Sequence, residues 1–228
     1  MRSITFLLAL LLVSAPAISQ QKNAALHQLF EQEWQRGLSD DPENASYNGD
    51  TRYNDRWTDM SLAAIGAREA ADRAALAKLQ GIGRAALSPA DQLNYDTFEW
   101  QLTRNIERQR YREYLMPMTH QGGVQTADGI AELLDFRTEK AYSDWLARLD
   151  KLPALIDQNI VLLREGVKTG RTPTKAIMQR VPNQINAQVV KDPERSAFYA
   201  PCKKLPGSIP AQRQAELRAQ ARRIIAER

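Results

Sequence analysis

Apolar residues recur along the chain at intervals of three and four, and nowhere do they alternate with polar ones for long enough to make a strand. Over 23–37, Leu26, Leu29, Phe30 and Trp34 follow helical spacing, and Gly37 stands where such a helix would stop. Residues 61–79 are rich in alanine and in charge, a composition of high helix propensity supported by Glu69 and Arg73 four apart, and they close at Gly81-Ile82-Gly83. Ser88-Pro89-Ala90-Asp91 is a helix start, with serine at the cap, proline at the first helical position and an acid in the first turn. The helix it opens carries Tyr95, Phe98, Leu102 and Ile106 as a core-facing stripe and runs to about Arg112. Thr126 is expected to cap a short helix through Phe136, and Thr138 another with Tyr142, Trp145, Leu146, Leu149 and Leu152. Pro153 kinks or divides that run, which resumes through Ile156, Ile160, Leu163 and Val167 and ends at Gly170. Thr172-Pro173 begins a helix with Ile177, Val181, Ile185 and Val189 at strict four-residue steps, bent at Pro182. After a proline-studded loop over 191–209, Pro210 opens a last helix with Leu217, Ala221, Ile224 and Ile225 on one side. The predicted class is all-α, a multi-helix array with long ordered loops.

Two stretches interrupt the helices. Residues 40–59 are polar and turn-rich and read as an ordered loop, with Asp55 and Arg56 capping neighbouring helices and Tyr53 and Trp57 pinning it down. Their acids lack the spacing of a calcium loop. The second break, 114–126, reads Tyr-Leu-Met-Pro-Met-Thr-His-Gln-Gly-Gly-Val-Gln-Thr. It holds His120, one of two histidines, with a Gly-Gly pair and a proline between methionines, so its backbone reaches shapes the flanking helices cannot. That is where a site is sought.

The last helix runs to Arg228 without a glycine, asparagine or proline to end it, and its apolar side meets no later element. This predicts that 20–228 is the helical N-terminal portion of a larger domain, an incomplete one, and that it self-associates through the face of residues 210–228.

Composition changes the picture mainly at the N-terminus. With 228 residues, 43% of them hydrophobic, the chain can bury a core. Met1-Arg2, an apolar run over 4–13 and small residues at Ala15-Pro16-Ala17 predict a cleaved signal peptide over 1–19, hence an exported protein, periplasmic or secreted. That run falls short of the roughly 20 residues a bilayer requires, and no later stretch comes closer, so no membrane span is expected. A net charge of +4 with no basic cluster interleaved with aromatics gives no reason to expect nucleic acid as a partner. Arg104, Arg108, Arg110 and Arg112 lie at the C-terminal end of their helix, where cations oppose the dipole. Cys202 is the only cysteine and cannot staple the fold; with no base beside it in sequence, it reads as a loop or part-buried thiol.

Recognisable catalytic patterns are missing. Gly207-Ser208 lacks the second glycine of a nucleophile elbow, and Gly81-x-Gly83-x-x-Ala86 follows a helix where a dinucleotide turn would follow a strand. His27 and Glu31 share a helix face, but His27 is followed by Gln28, unlike a zinc helix, and the pair reads as an exposed polar face.

Four segments occur together in order. They are Gly49-Asp50-Thr51-Arg52-Tyr53-Asn54-Asp55-Arg56-Trp57; Leu87-Ser88-Pro89-Ala90-Asp91-Gln92-Leu93-Asn94-Tyr95-Asp96; Met116-Pro117-Met118 with Gln121-Gly122-Gly123-Val124-Gln125; and Leu163-Arg164-Glu165-Gly166 followed by Gly170-Arg171-Thr172-Pro173. As a set they resemble the N-terminal part of the bacterial domain-of-unknown-function family numbered eight-eight-five. Members look like exported, mostly helical proteins related to zinc metallopeptidases, with a His-Glu-x-x-His helix in a later portion. The resemblance implies a parent in which zinc polarises a peptide carbonyl and a glutamate activates water. This chain stops before such a helix, so zinc is implied for the full-length family and neither a metal ligand nor a catalytic residue is carried over. The expected function is the N-terminal scaffold of an exported zinc-metallopeptidase-like protein, not catalytic by itself, with a peptide substrate in the full-length form. The alternative is a complete small helical binding or structural module of the cell envelope. Within the break, Gln121, Gly122, Gly123 and Gln125 are the candidate substrate-binding residues, because a backbone that approaches a ligand closely, with amides beside it, suits a peptide at a cleft edge.

Overall fold

In the computed structural model, residues 23–227 are described. The predicted signal peptide lies outside them. Among the described residues there is no strand, and the class is all-α, with no helix long and apolar enough to cross a membrane. The first core joins α1 (Ala24–Asp40), α3 (Leu62–Gln80) and α4 (Pro89–Gln109). Each begins on the cap its sequence supplies: the Asn23 side chain accepts from the Leu26 N–H, Ser61 from Ala64 and Ser88 from Asp91. Leu26, Leu29, Ala75, Leu79, Tyr95 and Leu102 fill the interior, and Phe30 meets Phe98 edge-on at 5.1 Å. The first helix runs past Gly37, its expected end, to Asp40. Arg36 spans that last turn, bonding Glu33 and Asp40 on its own helix and Asp72 on α3, which offsets the entropy cost of a helical glycine. The expected Glu69–Arg73 pair gives way to a bond from Arg73 to Gln109, which ties α3 to α4.

The second core is built on α5 (Glu139–Asp150), capped by Thr138 as expected, and α9 (Ala211–Ala226). Leu217, Ala221 and Ile224 of α9 are buried with Tyr142, Trp145, Leu146 and Leu149 of α5. The apolar face that lacked a later partner in the sequence is therefore covered by an earlier helix of the same chain. Periodicity shows that a face needs covering and says nothing of what covers it. The 191–209 stretch is ordered as 3-10 turns, and its Ala197–Lys203 segment closes this core, with the Phe198 carbonyl accepting from Trp145 Nε1 at 3.1 Å. Cys202 is fully buried there, and desolvation pushes its thiol up to about 11, which keeps it protonated and unreactive.

Helix α6 (Leu152–Lys168) follows α5 after Lys151, with Pro153 in its first turn. The single bent helix expected after Thr172 is instead two short ones, α7 (Lys175–Met178) and α8 (Val181–Gln188). Pro182 has no N–H to donate to the earlier turn and so opens α8. Of the four-step series only Val181 is buried; Ile185 and Val189 are exposed.

The polar stretch over 40–59 joins the two cores. It contains α2 (Pro42–Tyr47) and a 3-10 turn at Thr51–Tyr53, capped by Asp41 and Asp50 in place of the expected Asp55 and Arg56. Asp55 instead bonds Arg56 and Lys151. Trp57 pins the stretch as predicted, buried, with its Nε1 donating to the Arg148 carbonyl at 2.8 Å.

Candidate functional site

Chain reversal in the break begins at Arg112, a non-glycine residue with φ of 51°, followed by the 3-10 turn Glu113–Leu115. A tight turn then runs from Thr119, whose N–H donates to the Gly122 carbonyl at 2.8 Å. Gly123 has φ of 144°, a conformation side chains avoid, and a Cβ there would lie 2.5 Å from Gln125 Oε1 and 3.1 Å from the Pro117 carbonyl. The helix expected from Thr126 is the 3-10 segment Val124–Leu133; Thr126 sits inside it at a kink and bonds back to the Gly123 carbonyl, so it is no cap.

Helix α8 holds this loop with two glutamines four apart. Gln184 Nε2 donates to the His120 carbonyl at 2.8 Å, and Gln188 Nε2 to the Gln125 carbonyl at 3.1 Å and Asp128 Oδ1 at 3.0 Å. Gln125 is buried, and its amide nitrogen donates to the Thr119 carbonyl at 2.7 Å. Of the four candidate binding residues, Gly123 lines a cleft, Gln121 is exposed to solvent, Gly122 forms the turn, and Gln125 uses its amide nitrogen to hold the loop together while its buried Oε1 has no partner among the described residues.

The cleft has a volume of about 460 Å³. Three segments wall it: Asp41, Glu43, Trp57, Thr58 and Met60 from the joining stretch; Pro117 and residues of 123–133 from the loop; and Leu155 and Asn159 from α6. Glu43 accepts the Thr58 N–H on both oxygens, at 3.3 and 3.1 Å, and the Thr58 hydroxyl at 2.6 Å, which fixes its carboxylate at the rim. Asn159 is 5% exposed and donates Nδ2 to the Leu155 carbonyl of its own helix at 2.8 Å. Sequence reasoning missed Glu43 and Asn159, since each is an ordinary polar residue on a helix; Trp57 was singled out only as a loop anchor.

Beside the cleft, Arg148 lies fully buried with its guanidinium 5.2 Å from the Trp57 ring centre. Its Nη2 donates to the Tyr53 carbonyl at 3.0 Å and to Ser46 Oγ at 3.2 Å, while Nε and Nη1 have no partner among the described residues. Burial lowers its pKa, partly offset by the fields of Glu43, Asp55 and Asp144.

The two histidines lie apart. His27 Nε2 bonds Asp91 Oδ1 at 2.8 Å, so it is part of a link between α1 and α4, where the sequence predicted an exposed face shared with Glu31. Asp91 also accepts from the Asn23 N–H at 2.9 Å, and these two bonds, the backbone one first, lower its pKa. His120 keeps its Nδ1 buried and unpartnered in the loop. Among the described residues no three of His, Cys, Asp and Glu gather as metal ligands, so the donor set does not fit a zinc centre.

Residues 42–228 match the family described as bacterial protein of unknown function (DUF885), and the chain belongs to that family. A comparison with curated proteins finds no match.

Proposed function

We propose that this family member is the helical scaffold of an exported zinc-metallopeptidase-like protein, contributing one wall of a peptide-binding cleft and no catalytic group. The observation that carries the reading is the meeting of the Gly122-Gly123 turn with Trp57 and α6 around one cleft of about 460 Å³, a size suited to a few residues of peptide. In this reading the zinc chemistry belongs to ligands outside residues 23–227, and the leader over 1–19 accounts for export. The test is to purify the chain, measure its zinc by elemental analysis and titrate it with a mixed peptide library. Peptide binding that perturbs Trp57, without chelator-sensitive cleavage, is expected. Stoichiometric zinc with cleavage that a chelator stops would overturn the scaffold assignment.

A second reading, a helical binding or structural module of the envelope, is favoured by the burial of α9 against α5, which leaves the face of that helix in need of no other polypeptide. Peptides that fail to bind the cleft would move the balance to it.

A further inference from the structure

The stripe of Ile156, Ile160, Leu163 and Val167, apolar and helical in the sequence, does not face the core. Helix α6 turns Leu155, Asn159, Leu162 and Gly166 inward instead. On the outer side Ile156 is 39% exposed, Ile160 38% and Val167 70%, with Leu163 half-buried between them. A helix that is apolar on two faces is ordinarily covered on both, and a continuous exposed apolar stripe marks a contact surface.

The outer face has the form of a helix-packing seam. Ile160, Leu163, Arg164 and Val167 surround a shallow hollow of about 290 Å³. Their spacing of three, four and seven is that of the four-residue hole which receives a side chain from a facing helix. Ile156 and Val167, and inside them Ile160 and Leu163, stand symmetrically about one point between Val161 and Leu162. Two copies of α6 laid antiparallel about that point bring Ile160 of each over the hole of the other.

Charge agrees with this register. Asp157 and Arg164 are exposed, and neither side chain has a partner among the described residues; Lys168 reaches only Glu165, at 3.9 Å. At about 100° per residue these three fall on one flank of the stripe. A two-fold axis at the midpoint carries that flank onto itself, so Asp157 of one copy comes between Arg164 and Lys168 of the other, about 3 Å along the axis from each. Their long stems close that distance. A parallel pair would set Asp157 against Asp157 and Arg164 against Arg164.

We infer that α6 is an isologous interface, on which a second copy of this chain packs its own α6 antiparallel across residues 156–168. Knob, hole and opposite charges all lie on one surface and complement each other about one point, a self-complementarity that a face meeting a different polypeptide does not require. The inference is independent of the peptide-cleft reading. The self-association expected at residues 210–228 passes to another helix, since α5 covers the α9 face.

Sedimentation equilibrium on the full chain tests it. The unaltered chain reads as a monomer and dimer in equilibrium with a dissociation constant of about 1–100 µM, in keeping with an interface of one helix pair. Asp157→Arg and Arg164→Asp each weaken the dimer about tenfold, because each sets like charges opposite one another. Mixed in equal amounts, the two variants associate with each other at close to the unaltered strength, since their altered flanks are opposite in sign. Ile160→Glu abolishes the dimer with helix content by circular dichroism unchanged. Misfolded variants would not recover on mixing, so the mixture separates a lost interface from a lost fold. A chain that is monomeric at about 100 µM overturns the inference; so does a dimer indifferent to the charge reversals, or a mixture that stays monomeric.

Discussion

Arg148 is the residue whose replacement says most about how the two cores are joined. Its favourable terms are two charge-assisted hydrogen bonds, about 1.5–3 kcal/mol each, and a desolvated stack on Trp57 of about 2 kcal/mol. Against them stand several kcal/mol for desolvating the cation and about 1–3 kcal/mol for each of two unpaired donors, so the net is near zero. Arg148→Met removes the charge and fills much of the space. Neither acceptor is stranded, because Ser46 Oγ still bonds Pro42 and Asn54 and the Tyr53 carbonyl still accepts from Arg56. Stability should therefore change by no more than about 1 kcal/mol, or less than about 4 °C in Tm for a chain of this size. Arg148→Ala deletes the same charge and the same bonds but opens a cavity, costing about 3 kcal/mol more and lowering Tm by about 6–12 °C. Thermal melts followed by circular dichroism, with urea midpoints as a check, measure both. If the methionine variant falls as far as the alanine variant, the buried charge holds the joint and the packing argument is wrong.

Leu217→Ala should cost about 2–5 kcal/mol, because that side chain is fully buried between α9 and α5, whereas Gln220→Ala on the exposed side should stay within about 0.5 kcal/mol; equal urea midpoints for the two would return α9 to an unpartnered helix. Asp91 has a folded pKa below its unfolded value of about 3.9, so its stabilisation is present above that value and is lost as pH falls through the folded pKa. Asp91→Asn should accordingly lower the urea midpoint at neutral pH, with the gap from the unaltered chain closing below about pH 4; a gap that persists in acid contradicts the linkage. Gly123→Ala should destabilise by about 1–3 kcal/mol through its positive φ and the crowding at Gln125, while Gly122→Ala, whose Cβ meets nothing within 4 Å, should melt like the unaltered chain.

What the sequence made legible were features with a local cause. Ser88 and Thr138 start helices because a side-chain oxygen reaches an N–H three residues on, and that needs no tertiary knowledge. The stripe of Tyr95 and Leu102 was readable for the same reason. Failures came where distant partners decide. Gly37 stays helical because Arg36 reaches Asp72 on another helix, and His27 turns from Glu31 to Asp91, 64 positions away. Around the cleft the same limit applies. Gly123 was identifiable from its backbone freedom, but Glu43 and Asn159 enter only because α2 and α6 are brought to the loop by packing.

The segments that carry the family resemblance are far apart in sequence, and the fold brings two of them to the cleft and a third against the turn that precedes its loop. Trp57 ends the first segment, Pro117, Gly123 and Val124 belong to the third, and all line the cleft. The fourth supplies Gly166 on α6, where a Cβ would stand 2.7 Å from the Leu115 carbonyl and 2.6 Å from that of Arg171. Only a residue without a side chain lets the turn before the loop lie directly on α6, the helix that also presents Asn159. Two glycines thus act at opposite ends of one problem: Gly166 sets how closely the loop approaches the helix, and Gly123 sets how the loop turns once there. The second segment lies elsewhere, its Ser88 and Asp91 fixing the start of α4 against α1. That joint and the Gly166 approach are both packing devices, each made by residues that stand far apart in sequence.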